Sequence, residues 1–299
     1  MKCFTHIALI SFLLSLPILG CAQQQVDNDY KPEVDKPLYA TGKGPLLLID
    51  GGHQNFHILQ DKFAPFGKVA TASGFQVKSS SAAIMSEQLK DVKVLVIANA
   101  LNERNRDTWQ QPVYPAFTAE ETATINAWVK NGGRLFLIAD HMPFAGAAAT
   151  LARSFGFEFY DGFAMRKPRR KFDAFAYSEG TLSHNEITDM HSEVDTIITF
   201  TGQAFKIPTG ATSIITLDSF YTVLMPEVAW EFNDTMKMIP AKGLSQLAYH
   251  RYGSGKIVVS GEAAMFTAQK AGNSSIGLNA PVAKNNLQLL LNILEWLVK

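Results

Sequence analysis

The segment Trp128–Phe157, WVKNGGRLFLIADHMPFAGAAATLARSFGF, decides the fold class. It ends a helix at Asn131-Gly132-Gly133, runs through the apolar strand Leu135–Ala139, breaks at Asp140-His141, and enters a small-residue helix over Ala145–Phe155. A strand that is apolar at every position is buried on both faces, and a helix of small residues packs closely on a sheet. The same succession lies upstream. Leu46–Asp50 reads as a buried strand closed by Gly51-Gly52, and Phe63, Phe66, Val69 and Ala70 follow at helical spacing until Gly74. Phe75–Ser79 and Val92–Ala98 are two further strands. Thr118 and Glu121 form a capping box that opens the helix carrying Ile125, Trp128 and Val129. This alternation predicts βαβ units and an α/β fold with a doubly wound, mostly parallel sheet.

Downstream the pattern loosens. Residues 161–245 hold strand-like runs at Thr196–Thr201 and Ser213–Leu217 and read as a β-rich insertion. Regularity returns at the strand Ile257–Ser260 and at the amphipathic helix Asn285–Val298. No internal repeat is visible, and the expectation is one domain over 45–299.

The N-terminal end reads differently. Lys2 precedes the apolar run Ile7–Leu19, which is too short to span a bilayer comfortably and suits a signal peptide over 1–20. The run ends Leu16-Pro17-Ile18-Leu19-Gly20-Cys21, which resembles the lipobox of bacterial lipoproteins, with Cys21 as the lipidated residue. Plain secretion is the alternative. Residues 21–44, polar and without periodicity, then read as a lipidated tether. The expected location is the bacterial cell envelope, facing the periplasm, with the membrane as a partner through the lipid anchor. Cys3 and Cys21 are the two cysteines, so the domain itself offers neither disulfide nor thiolate. The 27 basic residues balance 27 acidic ones, which removes the electrostatic case for nucleic acid as a partner.

Open α/β sheets bind ligands beyond the carboxyl ends of their strands. That rule gathers His53, Asn55 and His57 after the first strand, Asn99, Asn102 and Arg104 after the third, Asp140 and His141 after the fourth, and Glu262 after the late strand. His53 and His57 stand four apart, and on a helical turn they would share a face able to hold one divalent metal ion. The plainer reading is that both are satisfied structural residues. Asp140-His141 places a carboxylate beside an imidazole at a strand-to-helix turn, an acid/base arrangement. Asp140 as a helix cap is the alternative. Glu262, after an apolar strand, must find a partner or hold its proton. Asn55, Asn99, Asn102 and Arg104 are candidates to orient a polar substrate. Arg166-Lys167-Pro168-Arg169-Arg170-Lys171 concentrates positive charge and could meet an anionic lipid, a glycan or a sulfated or phosphorylated substrate, or simply be solvated. There is no dinucleotide fingerprint, no phosphate-binding GxxxxGK[ST] and no GxSxG elbow.

The segments IDGGHQNFH, VLVIANALNERN, the opening Trp128–Phe157 stretch, GEAAMFTAQ and NNLQLLLNILEWL resemble bacterial DUF4350-type proteins, and through them the class I glutamine amidotransferase-like group that includes ThuA-like domains. The resemblance covers most of 45–299. It implies a flavodoxin-like sandwich with its site at the strand carboxyl ends. Amidotransferases of this fold carry a cysteine after the strand that here ends at Ala139. This chain has Asp140-His141 there, so glutamine hydrolysis through a thioester is not available to it.

Two functions follow as expectations. One is an envelope hydrolase, acid/base or metal-dependent, with Asp140, His141 and Glu262 catalytic and a polar substrate, carbohydrate by analogy with ThuA-like domains. The other is a non-catalytic lipoprotein that binds a glycan or another small ligand in the same crevice.

Overall fold

The computed structural model describes residues 24–190 and 194–299. Residues 1–20, read as a signal peptide, and Cys21 and His191 lie outside the described residues. Among the described residues no helix is long and apolar enough to cross a membrane.

The centre is one large sheet. Its parallel part uses β1 (Leu46–Asp50), β2 (Gln76–Ser80), β3 (Val92–Ala98), β4 (Arg134–Ile138) and β6 (Gly255–Ser260), in the spatial order β2-β1-β3-β4-β6. β5 (Ser245–Tyr252) continues the sheet antiparallel to β6, and short strands at Phe205–Lys206 and Glu158–Phe159 finish that side. Register aligns the carboxyl ends: Ala98 pairs with Ile138, and Ile138 pairs with Ser260. The residues that follow these strands therefore emerge along one edge.

Both faces are covered, as all-apolar strands require. Leu47, Ile49, Val94, Val96, Phe136 and Val258 point into one core layer, beneath α1 (Ala64–Ala72) and α4 (Asn286–Val298). Leu48, Leu95, Ile97, Leu135, Leu137 and Ile257 point into the other, beneath α2 (Ala119–Lys130) and α3 (Phe144–Ser154). The period-two alternation of side chains along a strand produces this division without any polar residue to mark it.

The insertion is β-rich. Strands Phe163–Arg166, Tyr221–Met225 and Lys237–Pro240 form a small antiparallel sheet, and Asp173–Ala176 pairs with Thr196–Thr199. Thr212–Thr216 instead joins the main sheet beside β5.

The stretch read as a tether is docked from Gln25 onward. Gln25–Val26 pairs with the strand Ala268–Ala271, and Lys68 Nζ donates to the carbonyls of Asn28 at 2.6 Å and Tyr30 at 3.0 Å. Tyr39 sets its ring edge-on to Phe75, 5.6 Å between centroids. Composition hides this because a few well-placed apolar residues hold the segment, with no periodic pattern.

Candidate functional site

Asp50 ends β1 fully buried, and the chain then turns through Gly51 and Gly52 without forming a helix. The four-residue spacing of His53 and His57 therefore does not put them on one face. His53 turns inward. Its Nδ1 lies 2.9 Å from Asp50 Oδ2, and its Nε2 lies 2.8 Å from Glu121 Oε1. An imidazole bonded to a carboxylate at each nitrogen donates from both, so the arrangement favours the imidazolium. Burial opposes that charge, but the bonds to Asp50 and Glu121 prevail and the pKa is raised. Glu121 is the capping-box residue as well. Its Oε2 accepts from the Thr118 N–H and hydroxyl, and its Oε1 also accepts from the Ile84 N–H. Asn55 closes the loop, donating to Asp50 Oδ2 and to the Ala98 carbonyl.

His57 lies one layer away, facing Asn99. Asn99 Oδ1 accepts from the Asp140 N–H at 2.9 Å, so its Nδ2 is the group that donates to His57 Nδ1, also at 2.9 Å. Burial, with Lys62 and His141 nearby, holds the His57 pKa down to about 3, so the ring is neutral. Asn99 adopts a left-handed φ of +49°, a conformation Asn tolerates better than most residues. The turn lets one amide bridge β3, the β4 terminus and the first loop.

These contacts bear on the metal reading of the named pair. Both nitrogens of His53 are bonded to carboxylates, and His57 has one nitrogen committed to Asn99. Among the described residues no group of three or more His, Cys, Asp or Glu is placed to hold a metal ion. The shared helical face on which the metal reading of His53 and His57 rested is absent, since residues 53–57 form no helix.

Asp140 and Glu262 do converge. Both are buried, at 7% and 0% exposure. The Glu262 carboxylate accepts from the Ala264 N–H at 3.1 Å and the Met265 N–H at 2.7 Å. Burial first, then the charge of Asp140, pushes its pKa well above the usual carboxylate range. Burial also raises Asp140, against the opposing influence of His141 and of hydrogen bonds from the backbone and Asn99. Two desolvated carboxyls this close cannot both ionise readily, so the pair retains a proton. Glu262 is sealed from solvent and held by backbone amides.

His141 has the opposite setting. Its Nδ1 lies 2.7 Å from the Met142 carbonyl, which fixes that nitrogen as a donor, and among the described residues its Nε2 has no hydrogen-bond partner. The ring stacks on Phe163, with centroids 4.4 Å apart at 14°, and meets the edge of Trp230 at 4.8 Å. Phe144 and Trp109 complete the surround. Phe56 continues the aromatic wall from Trp109 to His57. Phe56 and Trp230 are 38% and 46% exposed, unusual for large apolar rings, and Trp230 holds a strained φ of +72°.

The remaining named residues have plainer places. Asn102 accepts from the Arg104 N–H and donates to the Pro115 carbonyl. Arg104 is exposed and stacks its guanidinium 4.7 Å from the Tyr114 ring centroid. Neither faces the Asp140–His141 floor through a contact, and Asn55 and Asn99 are internal braces. His184 pairs with Asp189 and stacks on Tyr177, a structural role. The aromatic wall was missed by sequence reasoning. Phe56 sat in plain view between the two histidines, whereas Trp230 comes from the insertion and carries no local signal.

Comparison with protein-family models and with curated proteins finds no match. Among solved structures, the mmIFT52 N-terminal domain is 15% identical, with a TM-score of 0.61 over 85% of this chain and 97% of that one. A ThuA-like protein from Bacteroides uniformis is 11% identical, with a TM-score of 0.48 over 89% and 94% of the two chains. A second ThuA-like protein, from Parabacteroides merdae, is 13% identical, with a TM-score of 0.45 over 86% and 91%. At such identities the likeness concerns fold alone. The chain has the doubly wound, mostly parallel α/β sheet that its strand-and-helix alternation predicts, its strand order is the flavodoxin-like one, and ThuA-like proteins are among the solved structures similar to it.

Proposed function

We propose that the protein is an acid/base hydrolase of the bacterial envelope acting on a small polar substrate of the carbohydrate class. The observation that carries this reading is the meeting of an imidazole and a pair of buried carboxyls at one strand edge. His141 presents an unpartnered Nε2 in an aromatic surround, and its chain neighbour Asp140 is buried, as is Glu262, with the pKa of each carboxyl raised by burial. A base and an acid kept protonated by burial are the two parts that hydrolysis needs. His141 takes the proton of the attacking water, and Asp140 returns one to the leaving oxygen. Asn99 holds the backbone of Asp140 and the His57 ring in place. The exposed rings of Phe56 and Trp230 suit the apolar face of a sugar, whose hydroxyls remain free for hydrogen bonds. Lipidation at Cys21, read from the lipobox-like end of the apolar run, would anchor the chain to the membrane.

The test is a panel of chromogenic glycosides and esters against wild type, His141→Ala and Asp140→Asn. Turnover should fall by at least about 100-fold in each variant while folding is retained. If no substrate turns over, yet an oligosaccharide binds and loses affinity in Phe56→Ala and Trp230→Ala, the protein is a glycan-binding lipoprotein on the same crevice.

A further inference from the structure

A second site lies where the insertion folds back on itself. Between the strand Phe163–Arg166 and the strand Asp173–Ala176, the chain wraps a cavity of about 90 Å³. Its walls carry Arg166, Arg169, Arg170 and Lys171 on one side and Asp173 and Thr201 on the other. This volume is far below the several hundred Å³ of a pocket for a whole drug-sized ligand, and it suits one small polyatomic group.

Four cations line this small space against one carboxyl, that of Asp173. Several cations elsewhere have carboxylate partners: Lys206 pairs with Glu158, Arg251 with Glu186, and Lys270 with Asp27. Among the described residues none of the four cations around the cavity makes an ion pair. Arg166 donates to the Pro168 carbonyl and lays its guanidinium 4.5 Å from the Phe220 ring centroid, and Lys171 Nζ donates to Ser274 Oγ. Those contacts orient the side chains, and the nearby countercharge is Asp173, which Arg166 and Arg170 influence electrostatically. Asp173, the carboxyl on the wall, is half-buried, interacts with the Tyr221 side chain, and has its pKa raised by that burial. Three guanidiniums and an ammonium around so small a space match the fork geometry by which arginine grips sulfate and phosphate oxygens.

We propose that this cavity is a recognition site for a tetrahedral oxyanion, the sulfate or phosphate group of a small-molecule monoester. Its far wall is part of the acid/base floor's own scaffold. Phe200 lines the cavity and its backbone also bonds to the Glu262 carboxylate, while Ala164 donates its N–H to the Gly202 carbonyl. The site does not depend on the hydrolase reading, since it needs only the loop and the Phe200–Gly202 wall.

The experiment is calorimetric titration of the full chain with inorganic sulfate and with inorganic phosphate, at an ionic strength held constant with chloride. Saturable one-to-one binding of at least one oxyanion is expected, weakened at least tenfold in the Arg169→Gln, Arg170→Gln double variant and in Arg166→Gln, and unchanged in Asp140→Asn. Arg169 and Arg170 are exposed, so the double variant should melt with wild type. No saturable binding of either ion, or equal affinity in the arginine variants, overturns the proposal. A parallel arm uses vesicles of phosphatidylcholine with and without phosphatidylglycerol. Arginine-dependent binding to the anionic vesicles, with neither inorganic ion bound, also overturns it and marks the loop as a membrane-surface contact.

Discussion

Burial opposes the charged form of both His53 and His57, two histidines of one short motif, yet their pKa values shift in opposite senses. At His53 the carboxylates of Asp50 and Glu121 outweigh burial and the pKa is raised, whereas at His57 burial prevails, with Lys62 and His141 adding to it, and the pKa falls to about 3. The consequences for stability have opposite signs. For His57 the unfolded chain takes up a proton near pH 6.5 that the folded ring refuses. Stability is therefore intact above that pH and lost as pH falls from about 6.5 toward about 3. For His53 the stabilisation is complete below about 6.5 and lost as pH rises through its raised folded value. Thermal melts should show it. At pH 5 the His57 contribution alone costs about 2 kcal/mol, and His57→Gln, which keeps an acceptor for Asn99, should remove that acid loss. His53→Gln should be destabilised most at acid pH and approach wild type as pH rises. An unaltered acid limb in His57→Gln would mean the ring is not the proton acceptor. The motif exposed both histidines to sequence reading, but burial and the carboxylate partners of His53 decided which ring is charged.

At the scale of elements, the capping box of α2 is also the far end of the His53 clamp. Thr118→Ala removes one cap bond and should cost about 1 kcal/mol in denaturant unfolding. Glu121→Ala removes the reciprocal cap, leaves the Ile84 N–H unpaired and takes one of two carboxylates from the buried His53 ring, so it should cost distinctly more. A double-mutant cycle between His53 and Glu121 should give a coupling of about 1 kcal/mol or greater, while Thr118 and His53 should couple weakly. Equal costs for Thr118→Ala and Glu121→Ala would show that the His53 bond adds nothing. The box was legible because Thr-x-x-Glu is local chemistry. Its second role was not, because Ile84 and His53 reach it only after β1 and β3 pair side by side.

For the whole molecule, the segment before β1 gives a direct test of where the domain begins. A chain starting at Pro45 loses the Gln25–Val26 pairing, the Lys68 bonds and the Tyr39–Phe75 contact. Its melting temperature should fall by about 4 °C or more relative to a chain starting at Ala22, whereas a true tether could be removed without effect. By itself the sequence determined the alternating strands and helices, because apolar runs and helical spacing are local and strong. It also determined that Asp140, His141 and Glu262 emerge at one edge, because parallel strands share a direction, and that a thioester route is closed, because no cysteine stands after Ala139. Only the tertiary structure decided that β5 runs antiparallel beside β6, since SQLAYHRY has no pattern that specifies a direction. It alone decided that His53 bonds to Asp50 and Glu121, that Glu262 is sealed, and that Trp230 returns from the insertion to His141. The physical reason is the same in each case. Hydrogen bonds, ring contacts and shared protons act over a few ångströms between residues far apart in sequence, and no local pattern encodes such a pairing.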